Sequence, residues 1–194
     1  MNWVEPIRSE KKIAEIEASL KQGKPRDYLV FALGIRVALR ISDLLSLAVG
    51  DVLDEEGQIK DALIILEQKT KKTRKKKKRR VIQLNKKAKE AIRWYLDQTG
   101  DISPSTFLFP SQKGGSLCRN RAGELIKEWC NNVGLVGDYA GTSLRKTWAY
   151  QVWRKGGNVS TIRKALGHSR EEITLCYIGI TESDVSNLYD LMDL

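Results

Sequence analysis

Hydrophobic positions recur at helical spacing through most of the chain. In residues 9–22, Ile13, Ile16 and Leu20 lie three and four apart, which predicts an amphipathic helix that Gly23, Lys24 and Pro25 end. Residues 26–39 predict a second, more buried helix with Leu29, Ala32, Leu33 and Ile35 inward, and SDLLSL predicts a short one at 42–47. The period then changes. Residues 51–58 are turn-rich, residues 59–67 (IKDALIILE) read as a strand, and residues 81–84 read as another, which makes a long hairpin. Helices are predicted at 86–98 and 119–133, separated by a loop-rich stretch with Pro104, Pro110, Gly114 and Gly115 around Phe107 to Phe109. Two more follow at 143–155, stopping at Gly156 and Gly157, and at 159–166, stopping at Gly167. Ser169 and Glu172 have capping-box spacing and predict the start of a helix that carries Cys176 and Tyr177. A last amphipathic piece, 183–192, presents Val185, Leu188, Leu191 and Met192. Tyr95, Tyr139, Tyr150, Trp148, Val152 and Trp153 are expected in the core. The result is one mainly α domain with a small antiparallel β-sheet (α+β), without internal repeat or clear linker.

Composition narrows the class. At 194 residues and 41% hydrophobic content the chain can bury a core without staples. The longest apolar stretch, Tyr28 to Ile35, has eight residues, whereas a membrane span needs about 20. The opening MNWVEPIRSEKK has no apolar signal core. Cys118, Cys130 and Cys176 are odd in number with no C-x-x-C pair, and there is one His, which argues against a zinc site and for a reducing compartment. The expected location is the cytoplasm.

Charge changes the picture more. The net charge is +10, and it sits in one place: from Lys69 to Arg80 the chain reads KTKKTRKKKKRR, ten basic residues in twelve. Without those ten, 24 Lys and Arg balance 24 Asp and Glu. Such a run repels itself and stays in water. It reads either as a solvated loop or localisation-like tract, or as a loop that tracks nucleic-acid phosphates. Lys71, Lys72, Arg74, Lys75, Lys76, Lys77, Lys78, Arg79 and Arg80 are the candidate backbone contacts, but the run alone does not separate DNA from RNA.

Four segments carry candidate chemistry: ALRISDLLSL (38–47), LEQKTKK (66–72), GTSLRKTWAY (141–150) and LGHSREEITLCYIGI (166–180). In order and spacing they resemble the tyrosine recombinase, or phage integrase, family over residues 26–181. The first matches the family's G/A-L-R block, the third its H-x-L-R-K/H-T block with one departure, and the fourth its L-G-H-S block with a Tyr nine residues after the His. The resemblance implies the catalytic-domain fold of the DNA breaking-rejoining enzymes. It implies that a Tyr hydroxyl attacks a DNA phosphate, giving a 3′-phosphotyrosyl bond and a free 5′-hydroxyl that later reverses the step. No metal, nucleotide or other cofactor is implied.

The residue types suit that reaction. In-line attack on a phosphodiester loads charge on the non-bridging oxygens, and guanidinium forks bind phosphate bidentately. By motif position these are Arg40 and Arg145, each of which would otherwise read as a surface ion-pair partner. Lys69 matches the hairpin Lys that protonates the leaving 5′-oxygen, although Lys71 and Lys72 are close neighbours and a Lys here could simply touch backbone phosphate. A lone His is commonly structural, but His168 lies in the block that implies a hydrogen bond to the scissile phosphate. On one straight helix nine residues would be 2.5 turns and would point it away from Tyr177, so a break is needed between them. Tyr177 is the nucleophile candidate, its alternative being a core Tyr. A phenol of pKa about 10 needs a proton acceptor or a cationic site. Asp43 matches an acidic position that orients an Arg or His, or else supplies charge to a helix N-terminus near Ser42.

The departure is Thr142, where the family usually has His. Thr cannot act as a base near neutral pH; it donates a hydrogen bond to phosphate or caps the helix near Ser143. Two further expectations follow from the resemblance. About 25 residues precede the first catalytic helix, too few for the family's N-terminal core-binding domain, so residues 1–194 read as a single catalytic domain, with the basic hairpin as a substitute grip. Residues 181–194 read as a tail helix that docks on a neighbouring protomer or packs in cis. The implied partner is double-stranded DNA, with a monomer in solution and a homo-tetramer on synapsed DNA. Three functions stand side by side: a site-specific recombinase or integrase of a bacterium, phage or mobile element; a DNA-binding accessory protein weakened at Thr142; and sequence-tolerant nicking and closing, as in type IB topoisomerases.

Overall fold

The computed structural model describes residues 4–66, 79–100 and 102–180, together with Ser186 and Tyr189. Among the described residues the fold is mainly helical with one two-stranded antiparallel sheet. Helix α1 (Glu10–Lys21) starts where the Ser9 side chain accepts from the Lys12 amide. Helix α2 (Pro25–Gly34) has Pro in its first turn and buries every residue from Asp27 to Gly34. A helix apolar all round belongs at the centre of the core, and α1 and α5 (Lys86–Thr99) pack on it. Tyr28 of α2 meets Trp94 of α5 edge-on, with ring centroids 4.7 Å apart.

Helix α2 ends five residues before the boundary predicted at 39. Two features stop it. A Cβ at Gly34 would collide with the Leu144 side chain, lying 3.0 Å from its Cβ, so Gly34 permits the close approach of a later helix. Ala38 then takes a left-handed conformation with φ 51°, which costs a non-glycine residue about 1–2 kcal/mol. The turn it makes releases Leu39 and Arg40 into extended backbone leading to α3 (Ile41–Leu45). Gly34→Ala is therefore expected to destabilise the chain by about 1–3 kcal/mol through overpacking, read as a lower urea midpoint at unchanged slope.

A single turn, α4 (Val49–Val52), was not evident in the pattern; the Asp51 carboxylate closes it by accepting from the Ala48 amide. Strands β1 (Ala62–Leu66) and β2 (Arg79–Gln83) pair antiparallel, with Ile64 opposite Val81. Leu63 and Ile65 face the core, while Ile64 and Val81 are exposed. Strand β1 begins at Ala62 rather than 59, because Ile59 instead bridges to Leu53, and β2 ends at Gln83 rather than 84, because Leu84 turns inward by donating to the Asp61 carbonyl. Asn85 caps α5. The hairpin tip, with Lys69 and Lys71 to Lys78, lies outside the described residues, as does the predicted helix 183–192 apart from Ser186 and Tyr189.

Helix α6 (Arg119–Asn132) buries Ala122, Leu125, Ile126, Trp129 and Cys130. Helix α7 (Gly141–Arg154) is the spine of the molecule. Its Leu144 belongs to the main core and its Ala149 and Tyr150 to a second, smaller core with Ala38, Ile162, Leu166 and Ile178. Helices α8 (Val159–Leu166) and α9 (Glu171–Ile178) complete that second core. Tyr95, Tyr139 and Tyr150 are buried as expected, whereas Trp148, Val152 and Trp153 are only half-buried at the edge of the second core.

Two capping expectations are corrected. The residue before α9 is Arg170, which makes no side-chain cap. That start puts Ile173 three positions on, where no carboxylate can return a bond, so Ser169 and Glu172 form no capping box. The break between α8 and α9 comes from left-handed Gly167. Thr142 does not cap α7 either: it lies inside the first turn, and the Ser143 hydroxyl accepts from the Ala140 amide. Among the described residues no helix is long and apolar enough to cross a membrane.

Candidate active site

The turn at Ala38 builds the site. Arg40 follows it at the start of α3, and its Nη1 lies 3.8 Å from Oδ2 of the buried Asp43. Asp43 thus lies both in the first turn of α3 and against Arg40. Arg145, on α7, is 2% exposed. Its Nη1 donates to the Ala38 carbonyl at 2.6 Å and its Nη2 donates to the Leu166 carbonyl. One guanidinium therefore ties together the end of α8, the turn after α2, and α7. Arg80 of β2 reaches the same Ala38 carbonyl at 3.4 Å, so it faces the site rather than projecting from the hairpin. Arg79 is exposed.

His168 follows the left-handed Gly167 and is half-buried. Its Nδ1 is 3.0 Å from the Thr174 hydroxyl. Its ring meets that of Tyr177 edge-on, with centroids 4.9 Å apart. Burial pushes the His168 pKa down to about 4, and the charges of Arg145, Arg40 and Arg80 push the same way. The imidazole is neutral at pH 7. With Nδ1 accepting from Thr174, Nε2 carries the proton and donates; with Nδ1 donating, Nε2 is a base.

That shift has a stability consequence. The unfolded chain takes up the His168 proton near pH 6.5 and the folded chain only near 4. Between those values the unfolded state holds more protons, so stability falls as pH falls through the window. His168→Gln is expected to flatten this part of the profile, measured as urea midpoints of both proteins from pH 7 to 4.

Tyr177 is half-buried on α9. Burial raises its phenol pKa, while Arg145, Arg40 and a hydrogen bond with Arg145 oppose the rise. Lys146, buried beside it, places Nζ 5.4 Å from the Tyr177 ring centroid and donates to the Val4 carbonyl at 2.6 Å. Burial lowers the Lys146 pKa.

These elements surround a cleft of about 850 Å³ lined by Arg40, Asp43, Arg119, Thr142, Arg145 and Tyr177, among others. Thr142 is exposed on its wall, one turn before Arg145 on the same helix. Lys69 lies outside the described residues. Four residues were missed by the sequence reading: Arg119 and Asn120 on the cleft, Thr174 behind His168, and Lys146. Lys146 had a signal as the K/H position of the third block, and α6 gave another. Its first turn has no acid and carries Arg119 and Arg121, against the preference of a helix N-terminus for negative charge. Arg121 pairs with Glu124 at 2.9 Å, whereas Arg119 lines the cleft, where a cation suits an anionic ligand.

The model of the phage integrase family matches residues 8–183. The chain belongs to this family. It is 37% identical over 192 residues to "Probable integrase/recombinase YoeC" of Bacillus subtilis (strain 168), covering 97% of each chain. It is 28% identical over 167 residues to tyrosine recombinase XerD of Corynebacterium glutamicum, covering 84% of this chain and 51% of that one. The integrase chain thus spans nearly all of the first relative and about half of the second. Its fold is that of the XerA recombinase crystal structure, with TM-score 0.76 at 19% identity over 98% of this chain and 65% of that one. It also matches XerH site-specific recombinase bound to palindromic difH substrate in a post-cleavage complex, with TM-score 0.75 at 17% identity over 98% of this chain and 53% of that one.

Proposed function

We propose that this integrase-family chain cuts and rejoins double-stranded DNA through Tyr177. The observation that carries the reading is the meeting of Tyr177 and two arginines at one cleft, with His168 against the Tyr177 ring. The Tyr177 oxygen attacks the scissile phosphorus in line, the bond from phosphorus to the 5′-oxygen breaks, and a 3′-phosphotyrosyl bond forms. Arg40 and Arg145 hold the non-bridging oxygens as their charge grows. His168, neutral, either takes the phenol proton on Nε2, or donates through Nε2 to one of those oxygens while the phenol proton passes to solvent water. Lys69 protonates the departing 5′-oxygen. Attack by a 5′-hydroxyl on the phosphotyrosyl phosphorus reverses each step and releases the phenol, so the energy of the broken bond is kept without ATP.

Arg145 is fixed by two carbonyls before any DNA arrives. Preorganisation of this kind avoids reorganisation cost at the moment of reaction. Arg119 extends the cationic wall to the DNA flanking the cut, and the basic hairpin, Lys71 to Arg79, grips backbone phosphates. We place the protein in the cytoplasm, assembling as a tetramer on paired sites through its 181–194 tail. Among proteins of this fold, the Tn1549 transposon integrase is named as in complex with transposon right end DNA, which supports the DNA assignment.

The exposed Thr142 favours a second reading, a binding-only accessory protein, because a group able to act as base is missing from that wall. Nicked duplexes from beside its own gene separate the two. The enzyme reading predicts a mobility shift together with a protein–DNA adduct that survives denaturation. A shift without an adduct favours the accessory reading.

A further inference from the structure

The stretch that enters α1 is bonded along its length to the two helices that carry the site. The Ile7 amide donates to the Thr147 hydroxyl at 2.8 Å, and Gln151 Nε2 donates to the carbonyls of Ile7 and Arg8 at 3.1 and 2.8 Å. Lys146 donates to the Val4 carbonyl while lying over the Tyr177 ring. Ile7 itself is fully buried in the main core.

Arg8 then crosses to the second core. Its guanidinium stacks over the Tyr150 ring, 4.8 Å from the centroid, and its Nη2 donates to the Gly179 carbonyl at 2.5 Å. Gly179 is the left-handed C-cap of α9, two residues after Tyr177. A Cβ there would meet Arg8 Nη2 at 3.2 Å, so the glycine admits the guanidinium as well as the turn. A cation at a helix C-terminus also complements the helix dipole. Helix α9 needs such an anchor. It has eight residues and buries only Thr174 and Ile178, and isolated helices of that length are marginal.

The geometry points to residues 4–8 as a strap that sets the position of the nucleophile helix, with Arg8 as a positioning residue acting through the Gly179 carbonyl. This rests on the assignment of Tyr177 above. The strap gives whatever pulls on the N-terminal segment a mechanical path to the phenol: displacing Val4 to Arg8 releases the α9 C-cap and Lys146 together, leaving the arginine cleft in place.

The test uses the full chain and a nicked duplex from beside its own gene. Arg8→Ala and Arg8→Lys are compared with wild type for mobility-shift affinity, adduct rate, and hydrogen exchange of backbone amides in α9 and α2. Expected are affinities within about twofold, and an adduct rate down about 10–100-fold in Arg8→Ala and less in Arg8→Lys, since small misplacements of a reacting group have effects of that size. Exchange in α9 should quicken about tenfold or more while α2 is unchanged. Unchanged α9 exchange overturns the proposal, and so does a joint loss of affinity, rate and α2 protection, which marks a merely structural contact. Should Arg8→Ala fail to fold, Arg8→Lys decides on the same readouts. If wild type forms no adduct, the Tyr177 assignment has failed, and the exchange comparison alone decides the strap.

Discussion

Arg145→Lys is expected to slow adduct formation about 10²–10³-fold, the usual effect of losing one preorganised donor to a developing oxyanion. The substitution keeps the charge and loses the fork. Lysine cannot bond the Ala38 and Leu166 carbonyls at once while also facing the cleft. A buried carbonyl left without its donor destabilises the fold by about 1–3 kcal/mol, and the left-handed Ala38 keeps only the longer bond from Arg80 if its Arg145 donor is the one lost. Both effects should therefore appear together: a lower urea midpoint, and a slower adduct rate when DNA is saturating. A variant that loses stability but keeps its rate within tenfold would make Arg145 a structural cross-link only.

Thr142→His is expected to act in the opposite direction. Thr142 is exposed on the cleft wall in the first turn of α7, so a larger ring enters without displacing the core. It lies one turn from Arg145, whose guanidinium is beside the phenol. A general base there is expected to speed adduct formation about 10²-fold or more, the range over which such groups act. The rate at saturating DNA measures it, and a bell-shaped pH profile should accompany it. A gain below tenfold would mean that the phenol proton already has an acceptor.

Local signals were legible in the chain, and long-range ones were not. The spacing of Ile13, Ile16 and Leu20 gave α1, and the stop at Gly167 gave the end of α8, because both depend on residues within a turn of each other. The end of α2 was misplaced because Ala38 has no turn chemistry of its own. Its left-handed backbone is held by donors from Arg145 and Arg80, far away in sequence. The start of α9 was off by one residue, since Ser169 and Glu172 have the right spacing but Gly167 sets where the helix begins. Arg40, Arg145, His168 and Tyr177 came from motif order; the fold puts Arg40, Arg145 and Tyr177 on one cleft, with His168 against the Tyr177 ring. Lys146 stands at the K/H position of the third block, but its contact was not legible, and Arg8 had no motif signal at all: their partners Val4 and Gly179 are 142 and 171 positions away.

The central claim is that Tyr177 becomes covalently joined to a DNA 3′-phosphate. The most direct measurement digests the protein–DNA adduct formed on a nicked duplex and locates the linked residue by mass spectrometry, with Tyr177→Phe run in parallel. The account predicts one modified peptide, joined through Tyr177 to a 3′-phosphate with a free 5′-hydroxyl on the released strand, and no adduct from the Phe variant. An adduct at any other residue, or a bond to a 5′-phosphate, would contradict it.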